Sequence, residues 1–196
     1  MPHRRPGRAG VHGRSRVTDD AAPVDEGRSL FAGAVVDTDA MESLGRRLAG
    51  LLRAGDLLVL TGPLGAGKTT LTRGLGEGLH VRGQVASPTF VLARTHPSES
   101  GVPLVHVDAY RLGGAAELDD LDLDYEGSVV VVEWGAGLLD GVADSWLDVV
   151  IERPTGAGGA VPVVEDAPAD DVHDEPRRVT VTAHGPRWAG VTLPTS

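Results

Sequence analysis

The sequence predicts a single α/β domain in which a mostly parallel central sheet is flanked by helices. Its 196 residues suit one domain of this class with tails. Short apolar runs typical of strands alternate with stretches in which leucines recur at helical spacing. One run, at residues 57–61, is apolar until its last position, which is typical of a strand buried on both faces in a parallel sheet.

The composition excludes several other classes of protein. The chain has no cysteine, so it has no disulfide framework, no thiolate metal site and no cysteine nucleophile. No apolar run approaches the length that spans a bilayer, and we expect a cytoplasmic protein without membrane contact. From residue 17 onward, 28 acidic residues stand against 13 basic ones, a net charge of −15. A body this acidic lacks the basic surface that gripping a nucleic acid alone requires.

The charge pattern also divides the chain. Residues 1–16 contain five arginines and no acid, and no apolar segment follows them as a secretion signal would require. We therefore expect residues 1–28 to be a disordered Arg-rich leader, residues 29–190 to be the folded domain and residues 191–196 to be a tail. Within the domain, residues 153–176 are rich in Pro, Gly, Ala and Asp, which predicts a long acidic surface loop.

The first predicted elements are a strand, a helix and a second strand. Residues 34–36 predict a short strand. Asp39 is predicted to cap the helix that follows, with Glu42 at capping-box spacing, and Gly55 is predicted to close it. Residues 57–61 then form the buried strand.

The remaining elements continue the alternation of strands and helices. Residues 69–79 predict a helix with Leu71, Leu75 and Leu79 on one face. A short acidic helix is predicted at residues 116–121. Five more strands are predicted at residues 90–94, 104–107, 129–132, 146–151 and 179–182.

The turn after the second strand carries the clearest motif. Residues 62–69, GPLGAGKT, match G-x-x-x-x-G-K-[ST], in which backbone amides and a helix N-terminus surround phosphate groups. The only lysine of the chain, Lys68, stands at the motif's lysine position, and the Thr69 hydroxyl is placed to ligate Mg²⁺. The sequence thus predicts a P-loop NTPase-type domain whose ATP-binding residues include Gly62, Leu64, Gly65, Ala66, Gly67, Lys68, Thr69 and Thr70.

A P-loop also needs a carboxylate at the end of a neighbouring strand to hold Mg²⁺. Glu133 follows a run of four valines, and Asp108 follows the weaker apolar run at residues 104–107. We expect these two acids to serve as a metal ligand and as a water-orienting or metal-supporting partner, and the residues alone do not decide which is which.

The choice of nucleotide follows from missing residues. The chain has no asparagine and no second lysine, so it lacks the N-K-x-D segment with which Ras-type GTPases recognise guanine. ATP remains by elimination. A small-molecule P-loop kinase stays open as an alternative, although such enzymes usually add an Arg-bearing lid and no arginine lies between Arg153 and Arg177.

The combination of motifs resembles one family, the tRNA threonylcarbamoyladenosine biosynthesis ATPases known as TsaE. The resemblance rests on five stretches in the family's order: GPLGAGKTT at 62–70, SPTF at 87–90, HVDAYRL at 106–112, ELDDL at 117–121 and EW at 133–134. It implies a slow, partner-stimulated ATPase that uses ATP and Mg²⁺ in the bacterial pathway modifying adenosine 37 of tRNA. It also implies a complex with the transferase subunit and its paralogous partner, with tRNA contacted only indirectly and the transfer itself performed elsewhere.

The resemblance further implies a role for each matching residue. Lys68 and the loop amides hold the phosphates, and Thr69 and Glu133 hold Mg²⁺. Asp108 contributes to hydrolysis, and residues 87–90 resemble a switch-like loop that faces the γ phosphate. Within that loop, the Thr89 hydroxyl either senses the γ phosphate or caps a turn after Pro88. On this reading the catalytic residues are Lys68, Asp108 and Glu133.

Side chains beside these motifs have both structural and functional interpretations. His106 has no partner at metal-ligand spacing and is expected to be a core residue or to support a ligand. Tyr110 and Arg111 are equally consistent with a partner surface, a nucleotide contact or a structural role. Trp134 is expected to fill the core at a strand end.

Overall fold

The computed structural model describes residues 27–88, 91–139, 142–153 and 175–194. Its helices are α1 (Thr38–Ala49), α2 (Lys68–Gly78) and α3 (Ala115–Asp119). Its strands are β1 (Arg28–Val35), β2 (Leu57–Thr61), β3 (Ala93–His96), β4 (Leu104–Asp108), β5 (Val129–Glu133), β6 (Trp146–Glu152) and β7 (Arg177–His184).

All seven strands form one sheet in the order β1-β7-β6-β2-β5-β4-β3. The central strands β6, β2, β5 and β4 are parallel, whereas β1, β7 and β3 join antiparallel. The predicted α/β class is confirmed, and the sheet is more mixed than predicted. Strands β3 and β4 run antiparallel because only residues 97–103 join them, whereas β4 and β5, which also follow one another along the chain, run parallel across a connection that includes α3.

Helices α1 and α2 cover one face of the sheet and enclose the larger core cluster. They approach closely because glycines face each other at the crossing: a side chain at Gly45 would collide with the Leu71 carbonyl, and one at Gly74 with the Glu42 carbonyl. The opposite face of the central strands carries a smaller cluster around Leu118 of α3. Among the described residues, no helix has the length and apolar character needed to cross a bilayer.

The predicted ends of the first helix are wrong. Asp37 caps α1, and its Oδ1 accepts a hydrogen bond from the Ala40 amide at 2.7 Å, so the capping box at Asp39 and Glu42 does not form. The helix ends at Ala49 and not at Gly55. The apolar pattern continues through Leu51 and Leu52, but their amides bond to carbonyls three residues back, which marks a tightened last turn.

Two strand boundaries also differ from the prediction. Strand β1 begins at Arg28, well before residue 34, and its half-exposed positions hide the strand pattern in the sequence. Strand β3 lies at Ala93–His96 and not at residues 90–94, because Leu92 adopts a left-handed backbone with φ 65° and interrupts the extended chain. The other predicted strands and helices form within one to two residues of their predicted bounds.

The ends of the predicted domain are partly described. Val191 and Leu193 pack against the larger core cluster, and the Arg47 Nε donates to the Pro194 carbonyl at 2.8 Å. The described part of the predicted tail therefore belongs to the folded domain. Most of the predicted leader, residues 1–26, and most of the predicted acidic loop, residues 154–174, lie outside the described residues.

Candidate functional site

The loop between β2 and α2 has the backbone that the glycine-rich motif predicts. Gly65 and Gly67 have positive φ angles of 71° and 107°, and a side chain at Gly62 would approach the Ile151 carbonyl to 2.5 Å. No side chain caps α2 at Gly67. No capping side chain therefore occupies the first backbone N–H groups of α2, and these groups can donate to an anion, which the positive end of the helix also favours.

Lys68 is the first residue of α2 and is 95% buried. Its Nζ donates to the Gly62 carbonyl at 2.9 Å and to the Pro63 carbonyl at 3.2 Å. Burial lowers the pKa of this ammonium group, and the nearby carboxylates of Glu133 and Asp108 oppose that shift. An incoming phosphate would compete with two loop carbonyls for the donors of Lys68.

Three elements meet at one carboxylate oxygen. The Thr69 hydroxyl donates to Glu133 Oε1 at 3.0 Å, and His106 Nε2 lies 2.8 Å from the same oxygen. Glu133 ends β5 and is 4% exposed, and His106 is fully buried in β4. The end of the phosphate loop is therefore tied directly to the carboxyl end of the neighbouring strand.

The second acid lies where the parallel sheet predicts it. Asp108 stands opposite Glu133 in the β4–β5 register and is also buried. Its Oδ1 accepts a hydrogen bond from the Tyr110 amide at 3.1 Å, which caps the single 3₁₀ turn that follows β4. The two acids thus end neighbouring parallel strands, and their roles as metal ligand and supporting partner stay predictions.

The arrangement fits a nucleotide with Mg²⁺. A hydroxyl oxygen and a carboxylate oxygen, which are hard donors, lie side by side at the start of α2. Within the described part of the chain, no group of three or more His, Cys, Asp or Glu side chains could enclose a metal ion alone. Mg²⁺ at a P-loop commonly takes few protein ligands and completes its shell with phosphate and water.

The other predicted site residues contribute in different ways. Leu64 is 84% exposed at the tip of the loop, and the side chains of Ala66 and Thr70 are buried. The Ala66 amide donates to the Pro63 carbonyl at 3.1 Å, so a phosphate would compete with that carbonyl for this donor. Thr89 lies outside the described residues, so its role remains a prediction.

The sequence prediction missed the role of Trp134. It adopts a left-handed backbone with φ 64°, and its ring centroid lies 3.7 Å from Lys68 Nζ. The Tyr110 ring, which is 69% exposed, lies 5.2 Å from the Trp134 ring. The only signal in the sequence was the position of a tryptophan directly after the acid that ends a buried strand.

The fold and the loop together define a P-loop protein of the nucleotide-binding class. Residues 35–158 match the family described as "Threonylcarbamoyl adenosine biosynthesis protein TsaE". The chain belongs to the TsaE family.

Known relatives agree with this membership. The tRNA threonylcarbamoyladenosine biosynthesis protein TsaE of Streptomyces coelicolor is 58% identical over 153 residues, which cover 76% of this chain and 94% of the relative. The protein of the same name from Mycobacterium leprae is 49% identical over 137 residues, which cover 64% and 85%. The crystal structure of Bacillus subtilis YdiB matches with a TM-score of 0.61 at 29% identity and covers 83% of this chain and 90% of that one.

Proposed function

We propose that this protein binds ATP with Mg²⁺ and hydrolyses it to support formation of threonylcarbamoyladenosine in tRNA. The observation that carries the proposal is the 3.0 Å hydrogen bond from the Thr69 hydroxyl to Glu133, because it joins the last residue of the phosphate loop to a strand-end carboxylate. The family and the names of the relatives supply the pathway.

Each residue of the site has a role in this proposal. Lys68 exchanges its two loop carbonyls for phosphate oxygens and, with the first amides of α2, neutralises their charge. Thr69 and Glu133 would hold Mg²⁺, which would neutralise part of the phosphate charge. Asp108, opposite Glu133 in the sheet, orients the attacking water.

The charge of the chain supports an indirect role toward tRNA. The net charge of the whole protein is −10, and five of its basic residues are arginines within residues 1–16, so the rest of the chain is more acidic still. A surface this acidic repels the phosphate backbone of RNA. We propose that a transferase subunit and its paralogous partner hold the tRNA in the cytoplasm and perform the transfer, and that this protein supplies nucleotide-dependent turnover.

The test is ATP hydrolysis by the purified protein, alone and with the reconstituted transferase pair and tRNA. Slow release of inorganic phosphate alone and faster release with the partners are expected. Equal rates of hydrolysis with and without the transferase pair would show that the pair does not stimulate this protein. Absence of ATP binding would overturn the whole proposed function. A small-molecule kinase would instead place the phosphate on an added metabolite in the absence of other subunits.

A further inference from the structure

His106 contributes the second hydrogen bond to Glu133 Oε1, and it is the more buried of the two donors. Its side chain has no exposed surface, and its Nε2 lies 2.8 Å from that oxygen. The other ring nitrogen, Nδ1, has no hydrogen-bond partner among the described residues. A proton on Nδ1 would leave a buried donor unpaired, so the neutral ring with its proton on Nε2 fits this environment and donates to Glu133.

The sheet fixes this contact. In the parallel register of β4 and β5, His106 lies opposite Val131, two residues before Glu133. Side chains alternate along a strand, so His106 projects to the same face as Asp108, two residues further along β4. Strand β4 therefore places both Asp108 and the hydrogen-bond donor His106 beside the Glu133 carboxylate.

The two donors on Oε1 restrict how the Glu133 carboxylate can turn. Among the described residues, Oε1 accepts from Thr69 and His106, and Oε2 accepts no hydrogen bond. A carboxylate held by one oxygen presents the other in a fixed direction. Without the imidazole, only a threonine hydroxyl would hold this buried group.

We propose that His106 is a positioning residue that orients Glu133 for the metal ion. The proposal rests on the proposed function, because it assumes that Glu133 and Thr69 receive Mg²⁺. His106 does not touch the nucleotide or the metal; it acts through Glu133. Partners that orient a metal ligand typically contribute about 10- to 100-fold to metal affinity.

A purely structural role makes a different prediction. A buried histidine that only fills space can be replaced by an apolar residue of similar size with no effect on metal binding. A positioning role requires an N–H at the place of Nε2. The amide nitrogen of glutamine reaches about that place, whereas that of asparagine reaches only about the place of Nδ1.

The experiment measures Mn²⁺ bound to the protein with ADP by electron paramagnetic resonance, for the unmodified chain and for H106L, H106Q and H106N. ADP affinity in the presence of EDTA is measured in parallel. We expect metal-free ADP affinity to be the same in all four proteins. Mn²⁺ affinity should fall about 10- to 100-fold in H106L and H106N and stay near the original value in H106Q.

The outcomes separate the two proposals. If the unmodified protein binds neither ADP nor Mn²⁺, the proposed function is wrong and the assignment of His106 falls with it. If it binds both and H106L binds Mn²⁺ equally well, only the assignment of His106 is wrong. If H106L does not fold, the comparison of H106Q with H106N decides, and equal Mn²⁺ affinities in those two variants overturn the assignment.

Discussion

The ammonium group of Lys68 lies 3.7 Å from the ring centroid of Trp134. A cation this close to an indole face, with little solvent, gains about 2 kcal/mol. The same ammonium group donates to the Gly62 and Pro63 carbonyls, so hydrogen bonds from it to a phosphate would replace one or both of these contacts. We therefore expect the contact between Lys68 and Trp134 to change when a phosphate group binds at the loop.

The first prediction concerns tryptophan fluorescence. Adding ADP is expected to change the emission of the protein, because Trp134 loses or alters its contact with the ammonium group. Trp134→Phe should remove this change while the remaining tryptophans, Trp146 and Trp188, still emit. A change of the same size in Trp134→Phe would assign the signal to another tryptophan.

Replacing the lysine tests the phosphate contact itself. Lys68→Ala removes a charge-assisted hydrogen bond to phosphate and should weaken ADP binding by about 1.5–3 kcal/mol, measured by isothermal titration calorimetry. Arg178→Ala is the matched control, because Arg178 is an exposed cation on β7 outside the phosphate loop. Equal losses in both variants would point to a general effect of charge and not to a contact at the loop.

The two acids are expected to separate in their effects. Asp108→Asn should leave the affinity for Mg²⁺ and ATP within about threefold and reduce hydrolysis by about 10²- to 10⁴-fold, because it loses a group that orients or deprotonates water. Glu133→Gln should instead weaken the Mg²⁺ dependence of nucleotide binding. Calorimetry with and without Mg²⁺, together with single-turnover hydrolysis, tells them apart. Loss of binding in Asp108→Asn would reverse the assigned roles.

How far the sequence predicts this site depends on how local each contact is. The phosphate loop is contiguous, so its residues are predicted directly. Asp108 and Glu133 are also predictable, because the carboxyl ends of neighbouring parallel strands meet at one edge. Trp134 over Lys68 depends on a left-handed backbone at a non-glycine residue, which no spacing in the sequence reveals.

The same distinction applies to the fold. Asp37 and Asp39 are equally good caps by residue type, and only the observed hydrogen bond to Ala40 selects Asp37. The pairing of Arg187 with Asp56 joins residues 131 positions apart, and such a contact leaves no periodic trace along the chain. A contiguous motif and the shared edge of neighbouring parallel strands are thus predictable here, whereas a single side-chain pair between distant segments is not.

Asp148 provides a prediction for stability against pH. Burial raises the pKa of its carboxyl above the usual 3.8, and His184 opposes this shift more weakly. The carboxyl has its ordinary pKa in the unfolded chain and a raised pKa in the folded protein, which disfavours the charged form. As pH rises through the ordinary pKa and then the raised one, Asp148 therefore progressively lowers the free energy of unfolding. Asp148→Asn should therefore be more stable than the unmodified protein near neutral pH, and the difference should vanish well below the ordinary pKa of 3.8. Urea unfolding at several pH values measures the difference, and a constant difference at every pH would contradict it.

The bidentate pair of Arg187 and Asp56 gives the largest expected effect on stability. Arg187 donates to both oxygens of Asp56 at 3.0 Å and to the Leu51 carbonyl at 2.8 Å, and the Asp56 side chain is only 4% exposed. Arg187→Ala leaves a buried carboxylate without its cation, and we expect a loss of about 3–5 kcal/mol in the free energy of unfolding. The exposed pair of Arg46 and Glu77 is the control, since Arg46→Ala should cost no more than about 1 kcal/mol. Urea denaturation of both variants tests whether burial is the cause. Equal losses of unfolding free energy in the two variants would show that the burial of Asp56 does not determine the cost of removing its partner.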